Sequence, residues 1–442
     1  MTTGRVPKAK ILFINGEPFN KMTATGITVS NLFQDWPIDR LAQIYTANLP
    51  TNRSRFVFSE RISTRHLMPF LFGSLREEPG PEGQPEPTSS QVARVLARGS
   101  SNSLIIIVRY VLTPWLDFLP YRVPSHVIQK VQEFQPDVIY TLLGNIRITR
   151  LVNAISEKFD LPVVPHFMDD WYSTYSVPGK SMGTWAHRFL IKRSVSKLFA
   201  RVPLGLTIGN RMALEYAERF HRPFYPFMNP VDSVVDCPVR PMKRSGDPVV
   251  FVYVGGLHLY RDKALKEILD VLKLFNLNNV VAELRLYVPD ADRPKAEELG
   301  SVGSWVNYCG SVKSDQVSGV LIDADIAIHV ESSSEEVKKY ARLSVSTKIP
   351  QYLAAGLPVL AYASIESASS SYVSEMKCGI AIESLDKEGL IQAIERLIRD
   401  PGWRAELGAA ACRTATMYHL ASVVREGFSN VIREAVRAGG GA

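Results

Sequence analysis

The residues best suited to chemistry are concentrated in one stretch, Ser344-Val345-Ser346-Thr347-Lys348-Ile349-Pro350-Gln351-Tyr352-Leu353-Ala354-Ala355-Gly356-Leu357-Pro358-Val359-Leu360. Its spacing predicts a short helix followed by a buried strand. The hydroxyl of Ser346 or Thr347 can cap the helix start by accepting a hydrogen bond from an N–H that the first turn leaves free. Pro350 fits an early helical position, where no N–H is needed. Gly356 suits the left-handed residue that closes a helix, and Pro358 stops it from continuing. Free N–H groups, the helix dipole and the Lys348 ammonium all favour an anion, so a phosphate is the expected occupant. The same residues also read as an ordinary capped helix without a ligand.

A second candidate is His166, which closes the apolar run Pro162–His166 and precedes Phe167-Met168-Asp169-Asp170-Trp171. A histidine at the carboxyl end of a strand in an open α/β sheet points into the crevice where ligands bind. Its alternative is a buried histidine bonded to a carbonyl. Near the start, the strand Lys10–Ile14, a polar loop Asn15–Thr25 and a helix opening at Gly26-Ile27-Thr28 form the first unit of a doubly wound domain. No G-x-G-x-x-G is present, so a dinucleotide cofactor is not expected. Asp290-Ala291-Asp292 and Asp323-Ala324-Asp325 match D-x-D, a metal-binding pattern in some sugar transferases. They fall at a strand exit and a strand entrance and are read as accidental. No metal ligand is assigned.

These residues need a frame to hold them. Further strands are expected at Leu41–Tyr45, Asp137–Thr141, Pro203–Ile208, Val249–Val254, Glu283–Val288, Trp305–Tyr308, Asp325–Val330, Pro358–Ala361 and Gly379–Ile382. Between them the apolar spacing turns helical at Leu151–Phe159, Trp185–Arg201, Asn210–Phe220, Ala264–Phe275, Asp386–Arg399, Pro401–Ala415 and Tyr418–Val436. Alternation of the two kinds implies an α/β fold with parallel sheets. At 442 residues the chain is too long for one ordinary core. Val231–Pro248, with its three prolines, reads as the break between two domains. The expected division is 1–230, a linker 231–248, a second domain 249–417, and a final helical segment 418–442 that returns to the first domain.

The second half carries a resemblance. Ser346-Thr347-Lys348-Ile349-Pro350-Gln351 leading into Ala354-Ala355-Gly356-Leu357-Pro358-Val359 resembles the donor-binding segment of GT-B glycosyltransferases, closest to the retaining enzymes of glycosyltransferase family 4. Gly255-Gly256-Leu257 with Arg261, and Asn229-Pro230-Val231-Asp232, are similar to two further signatures of that family. The resemblance implies two Rossmann-like doubly wound domains facing a central cleft. It implies a nucleoside-diphosphate sugar as donor, a saccharide or lipid-linked acceptor, and transfer with retention and without a metal, in polysaccharide or glycoconjugate biosynthesis. It assigns Arg261, Lys348, Ser346, Thr347 and Gly256 to the donor diphosphate, and Gln351, Tyr308 and Gly310 to the ribose and base. Gly26, Thr28, Asp170 and Trp171 fall on the acceptor side, and His166 and Glu331 are the catalytic candidates. The chain also departs from the family pattern. Gly256 replaces an arginine and Arg261 a lysine, while Leu343 and Gln351 stand where the family has its two glutamates. Arg261 keeps a phosphate-gripping cation, and the Gln351 amide oxygen still accepts a hydrogen bond. Glu331, at the start of a polar loop Glu331–Arg342, can supply the missing carboxylate. The alternative is a non-catalytic scaffold or partner subunit that binds nucleotide or glycan, because a fold does not fix a function. A GT-B epimerase ranks behind both.

Composition narrows the classes further. Hydrophobic residues at 46% and charged residues at 21% describe a folded globular chain. A net charge of +7 fits phosphorylated ligands or an anionic membrane surface, and no aromatic-plus-basic nucleic-acid module accompanies it. Cys237, Cys309, Cys378 and Cys412 are scattered and read as reduced thiols. The apolar run Ile11–Ile14 is too short for a signal peptide. Leu104–Tyr121 is broken by Arg109, Pro114, Asp117 and Pro120, so it reads as a core helix or a surface helix dipping into a membrane interface. Trp185–Arg201 is a basic amphipathic helix that can lie on anionic lipid or cover a core. A cytoplasmic location, peripheral to the membrane, is expected.

Overall fold

The computed structural model describes residues 8–62, 123–174, 182–235 and 246–439. The expected excursion Glu77–Ser101, the stretch Leu104–Tyr121, Cys237 and most of the expected linker lie outside the described residues. Contacts divide the chain into two compact units, Met1–Phe227 with Glu426–Ala442, and Met228–Arg425.

The first unit holds β1 (Ile11–Asn15), β2 (Leu41–Tyr45), β3 (Ser59–Arg61), β4 (Val138–Thr141), β5 (Val163–Phe167), β6 (Gly205–Thr207) and β7 (Phe224–Pro226). Their order is β3-β2-β1-β4-β5-β6-β7, and every pair is parallel. The central strands are buried along their whole length because helices cover both faces, so they read as continuous apolar runs. The edge strands β3 and β7 were not expected. Each has three residues, too few for a strand pattern to show, and Pro226 is tolerated because an edge position needs no ladder donor.

An aromatic cluster fills the middle of this unit. The Phe13, Phe33 and Tyr140 rings meet edge to face, and Phe428 from the helix Ala421–Gly439 stands 4.9 Å from Phe33 and 5.3 Å from Phe227. The last fourteen described residues therefore complete the core of the first unit. In the helix Met182–Phe199, Ile191, Val195, Leu198 and Phe199 are buried, while Arg188, Lys192, Arg193 and Lys197 face solvent.

The second unit holds β8 (Val249–Val254), β9 (Ala282–Tyr287), β10 (Val306–Gly310), β11 (Ile326–Val330), β12 (Val359–Tyr362) and β13 (Gly379–Ile382). Their order is β10-β9-β8-β11-β12-β13, again all parallel. The direction of winding reverses between β8 and β11. In open α/β sheets ligands bind outside the carboxyl ends of the strands at such a reversal. Alternate residues divide the sheet into two faces. Phe251, Tyr253, Ile328 and Val330 pack with the helices Arg261–Phe275 and Lys387–Arg399. Val252, Val254 and Ala327 pack with Tyr352 and Leu353 of the helix Ile349–Ala354.

Two expectations are corrected here. The polar loop expected over Glu331–Arg342 contains the helix Glu335–Ala341, capped by Ser334, which accepts from Val337 N at 3.4 Å. Seven mostly charged residues are too few to show an apolar period. Cys309 and Cys378 are free, but Cys412 takes part in a disulfide. Among the described residues no helix is long and apolar enough to cross a membrane.

Replacing Phe428, which is fully buried, by alanine should destabilise the first unit by about 3–5 kcal/mol. Denaturant unfolding followed through that unit would show it, and a loss under about 1 kcal/mol would mean that the terminal helix is not part of this core.

Candidate functional site

Just after β8 the chain makes a tight turn through Gly255 and Gly256. The Tyr253 hydroxyl donates to the Gly256 carbonyl at 2.7 Å, and Leu257 N donates to Asp292 Oδ2 at 2.7 Å. Lys295 Nζ reaches both the Leu257 carbonyl at 3.2 Å and Asp262 Oδ1 at 3.3 Å. The loop backbone is thereby tied to the elements on either side. Both glycines permit close approach. A Cβ on Gly255 would stand 3.1 Å from Lys348 Cε, and one on Gly256 would stand 2.7 Å from His258 Nδ1. The Lys348 stem and the His258 ring occupy the space that side chains at 255 and 256 would need.

Leu259 and Tyr260 follow with φ of 57° and 59°, two consecutive left-handed residues that are not glycine. Each is a strained choice, costing about 1–2 kcal/mol. The double turn swings His258 back toward the start of the helix Arg261–Phe275, where Arg261 Nη1 lies 3.3 Å from His258 Nε2. The Arg261 charge also lies near the Tyr253 hydroxyl. The groups gathered here are mostly cationic. Burial, and then the Arg261 charge, lowers the Lys348 pKa to about 8, although part of the residue's surface reaches solvent. His258 stays open to solvent on one side. Partial burial of its ring and then Arg261 lower its pKa, Lys348 and Lys295 add to this, and Asp292 opposes it. Burial pushes the Tyr253 hydroxyl up to about 12. Among the described residues no carboxylate pairs with Arg261 or Lys348.

Across the winding reversal stands Glu331. The β8–β11 register pairs Ala327 with Val252, and Glu331 directly follows the carboxyl end of β11. His329 and Glu331 lie two residues apart on the face of Ala327, the face that carries the helix Ile349–Ala354. Both are buried, and His329 Nε2 sits 3.0 Å from Glu331 Oε1. A carboxylate can only accept, so Nε2 carries the proton. Glu331 Oε2 is buried without a hydrogen-bond partner among the described residues. Buried carboxylate oxygens are costly to leave unmade, so this one marks a place for a ligand donor.

The Ser344–Leu360 stretch folds into the helix Ile349–Ala354, with Pro350 in its first turn, Gly356 at φ 68°, and then β12. The N-cap position is Lys348, whose own side chain does not cap the helix, and the Ser346 hydroxyl accepts from Lys348 N at 3.5 Å just before it. Ser346 N donates to Ser369 Oγ at 3.1 Å, and the Thr347 carbonyl accepts from Asn229. With six residues, the helix contributes less through its dipole than Lys348 contributes through its charge. Tyr352 fixes the helix to β8 by donating to the Val254 carbonyl at 3.2 Å. Gln351 is half-buried on this helix. Leu343 is fully buried in the core. Tyr308 packs against the opposite face of the sheet, while Gly310, at φ 84°, has open space where a Cβ would be.

The residues assigned to the first unit sit differently. His166 is inside β5 and 1% exposed, with Nδ1 2.6 Å from the Tyr140 hydroxyl. Burial lowers its pKa to about 3. The Thr207 backbone offsets this in part, yet Nε2 has no partner at hydrogen-bond geometry among the described residues. His166 is thus enclosed in β5 as a neutral partner of Tyr140, with Nε2 left over. Gly26 lies within the first turn of the helix Ala24–Leu32, which begins two residues before it, and a Cβ there would meet Asn20 at 2.4 Å. Thr28 is fully buried, its hydroxyl donating to the Ala24 carbonyl at 3.1 Å. Asp170 is buried and accepts from Tyr216 at 2.6 Å and from Arg219 at 3.0 Å. Trp171 is buried beside it. These side chains hold the first unit together and, apart from the edge of Trp171, offer little surface to a ligand.

Sequence reading missed His258, Asp292, Tyr253 and His329. Only Asp292 carried a signal, the D-x-D pattern, and its carboxylate serves a backbone N–H, not a metal. Among the described residues no group of three acidic, histidine or cysteine side chains could hold a metal ion.

Comparison with known proteins agrees with this frame. Residues 273–397 match a family described as glucosyltransferase 3-like, C-terminal domain. No curated protein sequence matches the chain. Among solved structures, HepE of Anabaena bound to UDP is 13% identical, covering 96% of this chain and 100% of its own, with a TM-score of 0.61. Sucrose-phosphate synthase of Thermosynechococcus elongatus is 13% identical, covering 97% and 100%, with a TM-score of 0.62. Trehalose 6-phosphate synthase of Burkholderia multivorans is 10% identical, covering 98% of each chain, with a TM-score of 0.56. The fold is the two-domain α/β architecture of GT-B glycosyltransferases.

Two stability measurements follow from the strained, cationic loop. Tyr260→Gly relieves a left-handed residue and should raise stability by about 0.5–1 kcal/mol, less the entropy that glycine adds to the unfolded chain. Lys348→Met should stabilise the ligand-free chain at pH 7. Below pH 8 the native lysine is charged against its surroundings; between about 8 and its unfolded value the unfolded chain binds more protons, so wild-type stability rises with pH. The advantage of Lys348→Met should accordingly shrink from pH 8 to pH 10. An advantage that stays constant with pH would contradict a desolvated ammonium.

Proposed function

We propose that this chain is a glycosyltransferase that takes a nucleoside-diphosphate sugar as donor and passes the sugar to an acceptor hydroxyl with retention, in the manner of family 4 enzymes. The observation that carries this reading is the Arg261–Lys348 pair, two cations without a carboxylate partner among the described residues, at the winding reversal of a GT-B sheet. Breaking the bond between sugar and phosphate puts growing negative charge on the leaving diphosphate. Arg261 can grip it with two parallel N–H bonds, and Lys348 supplies a point charge from a partly desolvated position. Neutralisation by these side chains needs no metal ion. That the UDP and UDP-glucose complexes of HepE share the fold supports a nucleotide sugar as donor.

Glu331 is assigned the sugar side. Its free Oε2 can accept a donor-sugar hydroxyl or face the positive charge that develops at the anomeric carbon, while His329 holds the carboxylate in place through Oε1. Gln351 is assigned the ribose hydroxyls, and the loop at Tyr308 and Gly310 the base. A saccharide or lipid-linked acceptor is proposed for the first unit, in polysaccharide or glycoconjugate synthesis. The exposed basic side of the helix Met182–Phe199 supports contact with an anionic membrane surface. A second reading, a non-catalytic nucleotide-binding subunit, is favoured by one observation: Leu343, at the position of the family's first glutamate, is core.

Release of nucleotide from UDP-, GDP- and ADP-glucose, with mixed glycan and glycolipid acceptors, separates the two. The wild type should turn over one donor, and Glu331→Gln should lower the rate about 100-fold or more with donor affinity changed only a few-fold. An unchanged rate removes Glu331 from the mechanism. Binding without turnover of any donor supports the second reading.

A further inference from the structure

We propose that His258 is a proton-linked ligand of the donor diphosphate, neutral in the empty site and protonated when the phosphates are held, so that donor binding draws one proton from solvent onto its imidazole. The inference rests on the donor-site reading above and adds a residue and a linkage to it.

The geometry comes first. Because residue 256 is glycine, the His258 ring folds back over the turn into the space a side chain would fill, with Nδ1 on the glycine side and Nε2 toward Arg261. Two consecutive left-handed residues, Leu259 and Tyr260, hold it in that fold. Arg261 can only donate, so the Nε2 that faces it at 3.3 Å bears a lone pair and the ring is neutral. The charged groups facing the ring are Arg261 from the helix that follows, Asp292 and Lys295 from the adjoining turn and helix, and Lys348; Asp262 and Arg261 lie near Tyr253 of β8 beside them. Asp292 is engaged by Leu257 N and Asp262 by Lys295, so three cations outweigh the acids nearby.

A bound diphosphate reverses this balance. It takes the Arg261 N–H groups, leaving Nε2 without its donor and next to an anion. An imidazole in that position is stabilised by gaining a proton and donating it to a phosphate oxygen. Lys348 is the second group that can take up a proton, but it titrates in a more alkaline range.

The test is isothermal titration of the full chain with UDP-, GDP- and ADP-glucose in buffers of different ionisation enthalpy, at pH 7.0 and pH 9.0. A sugar diphosphate diester has no group that titrates near neutrality, so a proton exchanged at pH 7.0 belongs to the protein. At pH 7.0 the wild type should take up roughly half to one proton with the donor that binds, and its Kd should rise by up to about tenfold per pH unit above neutrality. His258→Gln should lose the uptake at pH 7.0 and keep that of Lys348 at pH 9.0. His258→Arg, charged throughout, should bind at pH 8 as tightly as the wild type does at pH 7, with no uptake at neutral pH. Should His258→Gln fail to fold, as judged by its melting curve, the wild type and His258→Arg carry the comparison. Tight binding with no uptake at pH 7.0, or uptake at pH 7.0 that survives His258→Gln, overturns this inference and leaves the donor-site reading standing. Binding of none of the three donors overturns both.

Discussion

Two positive charges held together without a negative one to balance them are the constraint on which the second unit's rim depends. Lys348 and Arg261 reach the same small volume from opposite sides, one over Gly255 and the other from the first turn of the helix that follows β8. Each would be better solvated alone. Their proximity is maintained by groups that do other things: Tyr352 anchors the short helix behind Lys348, while Tyr253, Asp292 and Lys295 fix the loop that leads to Arg261. Left-handed Leu259 and Tyr260 add local strain to the electrostatic cost. Concentrated unfavourable terms of this kind, supported by a well-packed core on both sheet faces, are what a preorganised anion site requires.

The first unit shows the opposite arrangement. Several of its buried polar side chains are engaged with one another, as in the Tyr216–Asp170–Arg219 group and the Tyr140–His166 Nδ1 contact, although His166 Nε2 is left over. Such pairings make a specific core and leave little for a ligand. The gathering of Arg261 and Lys348 without a carboxylate partner among the described residues is why donor chemistry is placed in the second.

Much of the frame was legible in the sequence because central parallel strands are long apolar runs. Leu41–Tyr45, Val249–Val254 and Gly379–Ile382 fall where the runs begin and end. Gly356 and Pro358 marked the close of their helix for a local steric reason that no packing alters. The losses have physical causes too. Ser59–Arg61 and Phe224–Pro226 are strands by pairing alone, and Glu335–Ala341 is too short for a period to show. The Ser346 hydroxyl does accept an N–H at the helix start, that of Lys348, but the helix begins later than expected, at Ile349, and Ser369, distant in sequence, meets the Ser346 backbone. His166 was placed at the rim because a strand end was read one residue short. His258 carried no pattern at all, since its position depends on the positive φ of the two residues after it and on the absence of a side chain at Gly256. Lys348 was found from its place at the helix start, and Arg261 and Glu331 through resemblance; that Lys348 and Arg261 converge depends on packing that no local pattern records.

The central claim, that the Arg261–Lys348 pair is a diphosphate clamp, is tested most directly by the melting temperature of the chain with UDP, GDP, ADP, CMP and dTDP, beside the Arg261→Ala/Lys348→Ala variant. A ligand at about 100 times its dissociation constant adds roughly 2.7 kcal/mol. The account predicts a clear upward shift with one nucleoside diphosphate in the wild type, little with CMP, and none in the variant. An equal shift in wild type and variant, or no shift with any nucleotide, would contradict it.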